Sequence, residues 1–142
     1  MSKAYDFLKN CNFYYLLTFD SDYPAGRPIS GILEADGVMY FGTRTDKAVY
    51  RQLKQNTHIG LVAFNKGRWL RLYADAEETF DTSVRKQYLS RLPAEIRRFG
   101  TADNPLLHFF NLRKSSPVCS NSGIRCLSNH ASKNCECIMP LY

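Results

Sequence analysis

Residues 27–47 read RPISGILEADGVMYFGTRTDK. The Asp36-Gly37 pair at the centre is a strong signal for a two-residue β-hairpin turn, because both residue types accept the positive φ that such turns demand. The flanking runs, residues 27–35 and 38–43, therefore read as two paired strands. The second ends at Thr43-Arg44-Thr45-Asp46-Lys47, where a helix begins that carries Val49 and Leu53 on one face and closes at Asn56 and Thr57. Free backbone N–H groups at a helix start attract anions, and here two hydroxyls, Lys47 and the nearby Arg44 surround that start. A phosphate suits this chemistry. Arg27 begins the strand hairpinned to residues 38–43, so its planar fork reaches the same anion if the two strand ends lie side by side. The plainer alternative is that Thr45 or Asp46 is an ordinary helix cap and the cations face water.

The rest of the chain extends this pattern. Ser2 caps a short helix with Ala4, Tyr5, Leu8 and Cys11 at helical spacing. The run of residues 13–19, FYYLLTF, reads as a strand buried on both faces, and residues 20–26, DSDYPAG, as turn chemistry. Residues 58–64 form another apolar strand, 65–67 a turn, and 68–77 a longer strand beginning near Trp69, the single tryptophan. That is a second hairpin. Asp81 or Thr82 caps a helix running to about residue 92, Pro93 interrupts it, residues 94–99 form a further helical turn, and residues 106–112 one more strand. Five or six strands dominated by antiparallel hairpins, with helices at the corners, suggest a small closed barrel.

The 142 residues are the size of one domain, and 44% apolar content is enough for an ordered core. No apolar stretch approaches membrane-spanning length, and residues 1–10 lack a signal-peptide core, so a cytoplasmic location without disulfides is expected. The net charge of +6 divides equally between residues 1–112 and 113–142. The body is thus only mildly basic, which suits a small anionic ligand and falls short of the concentrated basic face that duplex DNA needs. The segment from Gly37 to Thr43 superficially resembles a P-loop, but it lacks the lysine and its first glycine sits in a hairpin turn. Motifs of Rossmann cofactor binding, elbow serine hydrolases and zincins are absent.

The stretch at residues 27–30, the Asp36-Gly37 hairpin, MYFGT at 39–43, TDKAVYRQLKQN at 45–56 and WLRLYADA at 69–76 together resemble the pyridoxamine 5′-phosphate oxidase-like, FMN-binding split-barrel family. The likeness covers about residues 3–112. It implies a mainly β fold, a six-stranded antiparallel split β-barrel with flanking helices over residues 1–112. It also implies a homodimer with one FMN per site in a groove between subunits. On this resemblance Arg27 and Lys47 neutralise the FMN phosphate, Thr45 donates to it, and the backbone at Pro28, Ile29 and Ser30 and around Gly42 and Thr43 lines the isoalloxazine. Trp69 falls where the family commonly places a residue near the flavin, often a glutamine. The implied activity is FMN-dependent oxidoreduction of an unidentified small molecule, with a substrate or NAD(P)H supplying hydride and no catalytic side chain assigned. Tyr14, Tyr15, Tyr40 and Trp69 are further candidates for shaping the pocket. True pyridoxamine phosphate oxidases carry a C-terminal segment rich in Arg, His and Trp that residues 113–142 do not match, so that substrate is not expected. The rival reading is a non-catalytic barrel that carries flavin or haem or binds single-stranded nucleic acid; a third is a flavoprotein that only stores or carries electrons.

From residue 113 onward Ser, Asn, Cys and Gly dominate and no periodicity is kept. Cys119, Cys126, Cys135 and Cys137, with His130, lack the close knuckles of a zinc ribbon, so no metal site is expected. The tail reads either as a divergent extension or as the product of a shifted reading frame, and in both cases as poorly packed unless a partner subunit holds it. His58 and His108 read as hydrogen-bonded core histidines without a functional role.

Overall fold

The computed structural model describes residues 3–91, 103–114 and 136–140. Three helices are present among them, α1 (Lys3–Lys9), α2 (Ala48–Gln55) and α3 (Thr82–Arg91). The strands are β1 (Tyr14–Asp20), β2 (Tyr23–Ile29), β3 (Leu33–Ala35), β4 (Val38–Arg44), β5 (His58–Asn65), β6 (Arg68–Thr79), β7 (Leu107–Lys114) and β8 (Glu136–Pro140). Every pairing is antiparallel, in the order β2-β1-β5-β6-β7-β4-β3, with β8 beside β6. The mainly β class with flanking helices is as the sequence suggests. Strands number eight among the described residues rather than six, because the expected strand at 27–35 breaks at residues 30–32 and β8 adds to β6.

Both hairpin turns are where their residues require them. Asp36 and Gly37 have φ of 52° and 76°, and Lys66 and Gly67 have φ of 48° and 72°, the double positive φ that matches strand twist. The expected turn at residues 20–26 is far tighter. Asp20 already faces Tyr23, so residues 23–26 belong to β2. Pro24 and Pro28 suit that strand because β2 is an edge, where a missing N–H leaves no ladder bond unmade.

The main core gathers Leu16, Phe41, Leu61, Leu70, Phe110 and residues of α1 and α2 inside the curved sheet. A second, smaller core packs Val84, Tyr88 and Leu89 of α3 on Leu33, Leu107 and Phe109, covering the outer face of the β3-β4-β7 side. The outer face of β1, β5 and β6 has no such cover among the described residues. There β1 departs from the expectation of burial on both faces. Tyr14, Leu16 and Thr18 are buried, whereas Tyr15 is 47% and Leu17 38% exposed. No pairing joins β2 to β3 or β4 among the described residues, so the barrel is split rather than closed.

Arg113 and Lys114 extend β7, and residues 136–140 pair with Arg68–Leu72 of β6, so part of the tail is incorporated in the sheet. Cys119, Cys126, Cys135, His130, Pro93 and the helical turn at 94–99 lie outside the described residues. No helix among the described residues is long and apolar enough to cross a membrane.

Candidate functional site

Arg27 stands opposite Leu16 on β1, and Ala25 opposite Thr18. Opposed residues in an antiparallel pair project to one side, so the inward burial of Leu16 and Thr18 brings Arg27 inward too. This differs from the expected route: β2 pairs with β1, and only Leu33–Ala35 pair with β4. Arg27 and Lys47 come together instead because α2 packs against both β1 and β4. It starts at the end of β4 and crosses to the strand that neighbours β2.

A cavity of about 450 Å³ opens at this junction. Its walls are Arg27, Pro28, Ile29 and Ser30 from β2 and the following loop, Gly42, Thr43 and Arg44 from β4, and Lys47, Ala48 and Val49 from the start of α2. Thus Arg27, Pro28, Ile29, Ser30, Gly42, Thr43 and Lys47, singled out from the sequence, line one hollow. Thr45 does not line it; its backbone N–H donates to the Leu106 carbonyl at 2.8 Å. Trp69 also lies elsewhere within the subunit, in a second hollow of about 620 Å³ shared with Cys11, Phe13, Tyr15 and Phe64. Of the other aromatics, buried Tyr14 donates its hydroxyl to the Gly31 carbonyl at 3.0 Å beneath the loop that follows β2, and Tyr40 packs against the α3 core.

The helix start differs from the sequence expectation in a way that matters for charge. Lys47 is the N-cap of α2, and no side chain caps it. Asp46 is instead engaged by Arg44, whose Nε and Nη2 donate to its two carboxylate oxygens at 3.0 and 2.7 Å. That bidentate pair draws the Asp46 carboxyl below its ordinary value and raises Arg44, chiefly through the side-chain hydrogen bonds. Arg44 is therefore compensated locally, whereas Arg27 has no carboxylate partner among its described hydrogen bonds. Its Nη1 donates to Thr18 Oγ1 at 2.7 Å and its Nη2 to Gln52 Oε1 at 2.7 Å, and the Thr18 hydroxyl donates to the same Gln52 oxygen at 2.7 Å. Burial lowers the Arg27 pKa from its ordinary value while Asp20 acts in the opposite direction. A guanidinium nonetheless stays charged at any physiological pH.

Thr18 and Gln52 were not singled out as site residues from the sequence. Their signal is polarity in apolar company: Thr18 interrupts the run FYYLLTF, and Gln52 shares the buried face of α2 with Val49 and Leu53.

On the far side of α2 a second polar cluster centres on Glu78. Tyr50 Oη donates to its Oε1 at 3.0 Å, Lys54 Nζ to its Oε2 at 2.8 Å, and His108 Nδ1 makes a short contact with Oε1. Desolvation pushes the Glu78 carboxyl up, but the bonds from Lys54, His108 and Tyr50 outweigh it and the net shift is downward. His108 is thus a partly buried, hydrogen-bonded residue, while His58 is exposed and paired with Asp75 at 2.5 Å, not a core histidine.

Residues 2–113 match a family model described as pyridoxamine 5′-phosphate oxidase. The chain belongs to that family. No curated protein matches it. Among solved structures, this member of the pyridoxamine 5′-phosphate oxidase family is similar to a NimC/NimA family protein from Clostridium acetobutylicum, with 26% identity and a TM-score of 0.75 over 79% of this chain and 81% of that one. General stress protein 26 from Bacillus anthracis is 12% identical with a TM-score of 0.66, over 77% and 84% of the two chains. HutZ, the haem storage protein of Vibrio cholerae, is 14% identical with a TM-score of 0.66, over 81% and 89%. The last two likenesses concern the fold alone, which is the split barrel of this family.

Proposed function

We propose that the chain is a cytoplasmic, homodimeric, FMN-dependent oxidoreductase acting on a small molecule, with NAD(P)H as a source of electrons. The observation that carries this reading is the meeting of Arg27 and Lys47, twenty positions apart in sequence, on one cavity at a helix start that no side chain caps. The donor set fits a phosphate monoester: two cations with no carboxylate hydrogen-bonded or ion-paired to them among the described contacts, the hydroxyls of Ser30 and Thr43, and the first turn of α2. Pro28, Ile29 and Val49 supply apolar wall against which a flat ring system packs. When bound, the flavin supplies two-electron redox chemistry, and the residues around it bind, orient and exclude water. Thr45 and Trp69 stand outside this cavity, so of the residues expected to hold the phosphate Arg27 and Lys47 are kept and Thr45 is not. A second subunit is proposed to cover the outer face of β1, β5 and β6, where Tyr15, Leu17, Phe64 and Tyr73 are exposed.

The test is the small molecule released from purified, denatured protein, identified by absorbance and mass, together with titration of stripped protein by FMN. FMN is expected to be released or taken up by the wild type, and uptake to be lost in the double variant Arg27→Ala, Lys47→Ala. Protein that takes up no added FMN removes the proposal.

One observation favours a second reading. Arg71 lies 5.4 Å from the Trp69 ring centroid and 5.7 Å from that of Tyr73, an aromatic and cationic stripe along β6 of the kind that single-stranded nucleic acids stack upon. Oligonucleotide binding that weakens steeply as salt rises would favour it, and indifference to oligonucleotide would remove it. Haem carriage is less well served, since the cavity wall offers an anion cations and hydroxyls but offers iron no imidazole or thiolate among the described residues.

A further inference from the structure

Two arginines line the cavity, and they are held in opposite ways. Arg44 is gripped by the Asp46 carboxylate, so its charge is largely cancelled for anything that enters. Arg27 is held by three neutral oxygens, the Leu16 carbonyl at 3.4 Å and the side-chain oxygens of Thr18 and Gln52, and the last two are themselves joined by the hydrogen bond from Thr18 to Gln52. Thr18 is 2% and Gln52 5% exposed, the only buried polar residues besides Thr43 among those described. A buried polar side chain costs stability unless its hydrogen bonds are made, and an apolar residue would serve the core at either position. What Thr18 and Gln52 do together is fix the guanidinium against both β1 and α2 with no carboxylate hydrogen-bonded to it among the described contacts, Asp20 acting on it only through space. The described hydrogen bonds occupy Nη1 and one N–H of Nη2, leaving Nε and the second N–H of Nη2 for a ligand.

We propose that Thr18 and Gln52 are positioning residues that form a charge-neutral clamp on Arg27. The clamp leaves the guanidinium free of a hydrogen-bonded carboxylate, presents its positive charge to a phosphate dianion and makes the cavity select phosphorylated over unphosphorylated ligands. The inference rests on the flavin reading above, and it predicts preference for FMN over riboflavin, which differ by the phosphate. A carboxylate at residue 52 would hold the fork just as well mechanically but would cancel the charge, as Asp46 does for Arg44.

The test is flavin fluorescence titration of the full chain with FMN and with riboflavin, for wild type, Thr18→Ser, Thr18→Val and Gln52→Glu, with thermal melts to establish folding. Wild type and Thr18→Ser are expected to prefer FMN. Gln52→Glu and Thr18→Val are each expected to weaken FMN binding by about tenfold or more while riboflavin affinity changes by less than about twofold. Gln52→Glu is the decisive variant, because a merely structural role is satisfied by the acid. If Gln52→Glu keeps the wild-type preference, or if a variant weakens both flavins equally, the clamp is overturned. Should Gln52→Glu fail to fold, the contrast between Thr18→Ser and Thr18→Val decides. Wild type that binds FMN and riboflavin equally sinks the clamp but leaves the flavin reading standing, whereas wild type that binds neither sinks both.

Discussion

Asp46 holds Arg44, a residue of the cavity wall, in a bidentate ion pair. Its carboxylate is exposed, so the pair contributes little to stability, but it decides how much of the Arg44 charge a ligand feels. Asp46→Asn is therefore expected to tighten FMN binding severalfold at low salt, with the gain shrinking as ionic strength rises. An isothermal titration at two salt concentrations measures this, and unchanged affinity at both would show that Arg44 does not face the phosphate. The individual site residues were unevenly legible. Arg27 and Lys47 stood out because cations beside a strand-to-helix junction have a recognisable anion chemistry. Gln52 and Thr18 were missed because one buried polar residue on an apolar face or run looks like noise until its partner is seen, and these two partners are 34 positions apart.

Helix α2 is secured along its opposite side by Glu78, whose side chain is only 7% exposed and accepts from Tyr50 and Lys54 of the helix. Gln at residue 78 keeps the shape but leaves Lys54 without its carboxylate. Glu78→Gln is expected to lower the unfolding free energy by about 2 kcal/mol at neutral pH, read by urea denaturation. The pH dependence has a definite sign. The folded carboxyl titrates below its ordinary 4.5, so its contribution is fully present above that value and is lost as the pH falls through the lower, folded one. The gap between wild type and Glu78→Gln should thus close as the medium is acidified past 4.5. A gap that persists unchanged in acid would assign the loss to packing. Among the elements, the hairpins were read correctly since a two-residue turn is a local property of Asp36-Gly37 and Lys66-Gly67. Strand β2 was partly misread as a turn because proline and glycine carry the same local signature in a loop and on a sheet edge, and edge position is not local.

Taken together, the layers are lopsided: α3 covers the outer face of β3, β4 and β7, while β1, β5 and β6 turn Tyr15, Leu17, Phe64 and Tyr73 outward. The partner subunit proposed for that face would account for an alternating strand whose outward residues are as apolar as its inward ones. Leu17→Lys is expected to shift sedimentation from dimer to monomer without loss of the folded barrel, since Leu17 is already 38% exposed in the subunit. A wild-type monomer would refute the assembly, and a dimeric Leu17→Lys would place the interface elsewhere. Reading along the chain was enough for the two hairpin turns at Asp36-Gly37 and Lys66-Gly67, the three described helices and the antiparallel class, because turn conformation and amphipathic period are local. Which strands become neighbours, which face of β1 meets solvent, and how Arg27 and Lys47 come to line one cavity emerged in three dimensions. Those follow from packing between segments far apart in sequence, and no short-range pattern encodes them.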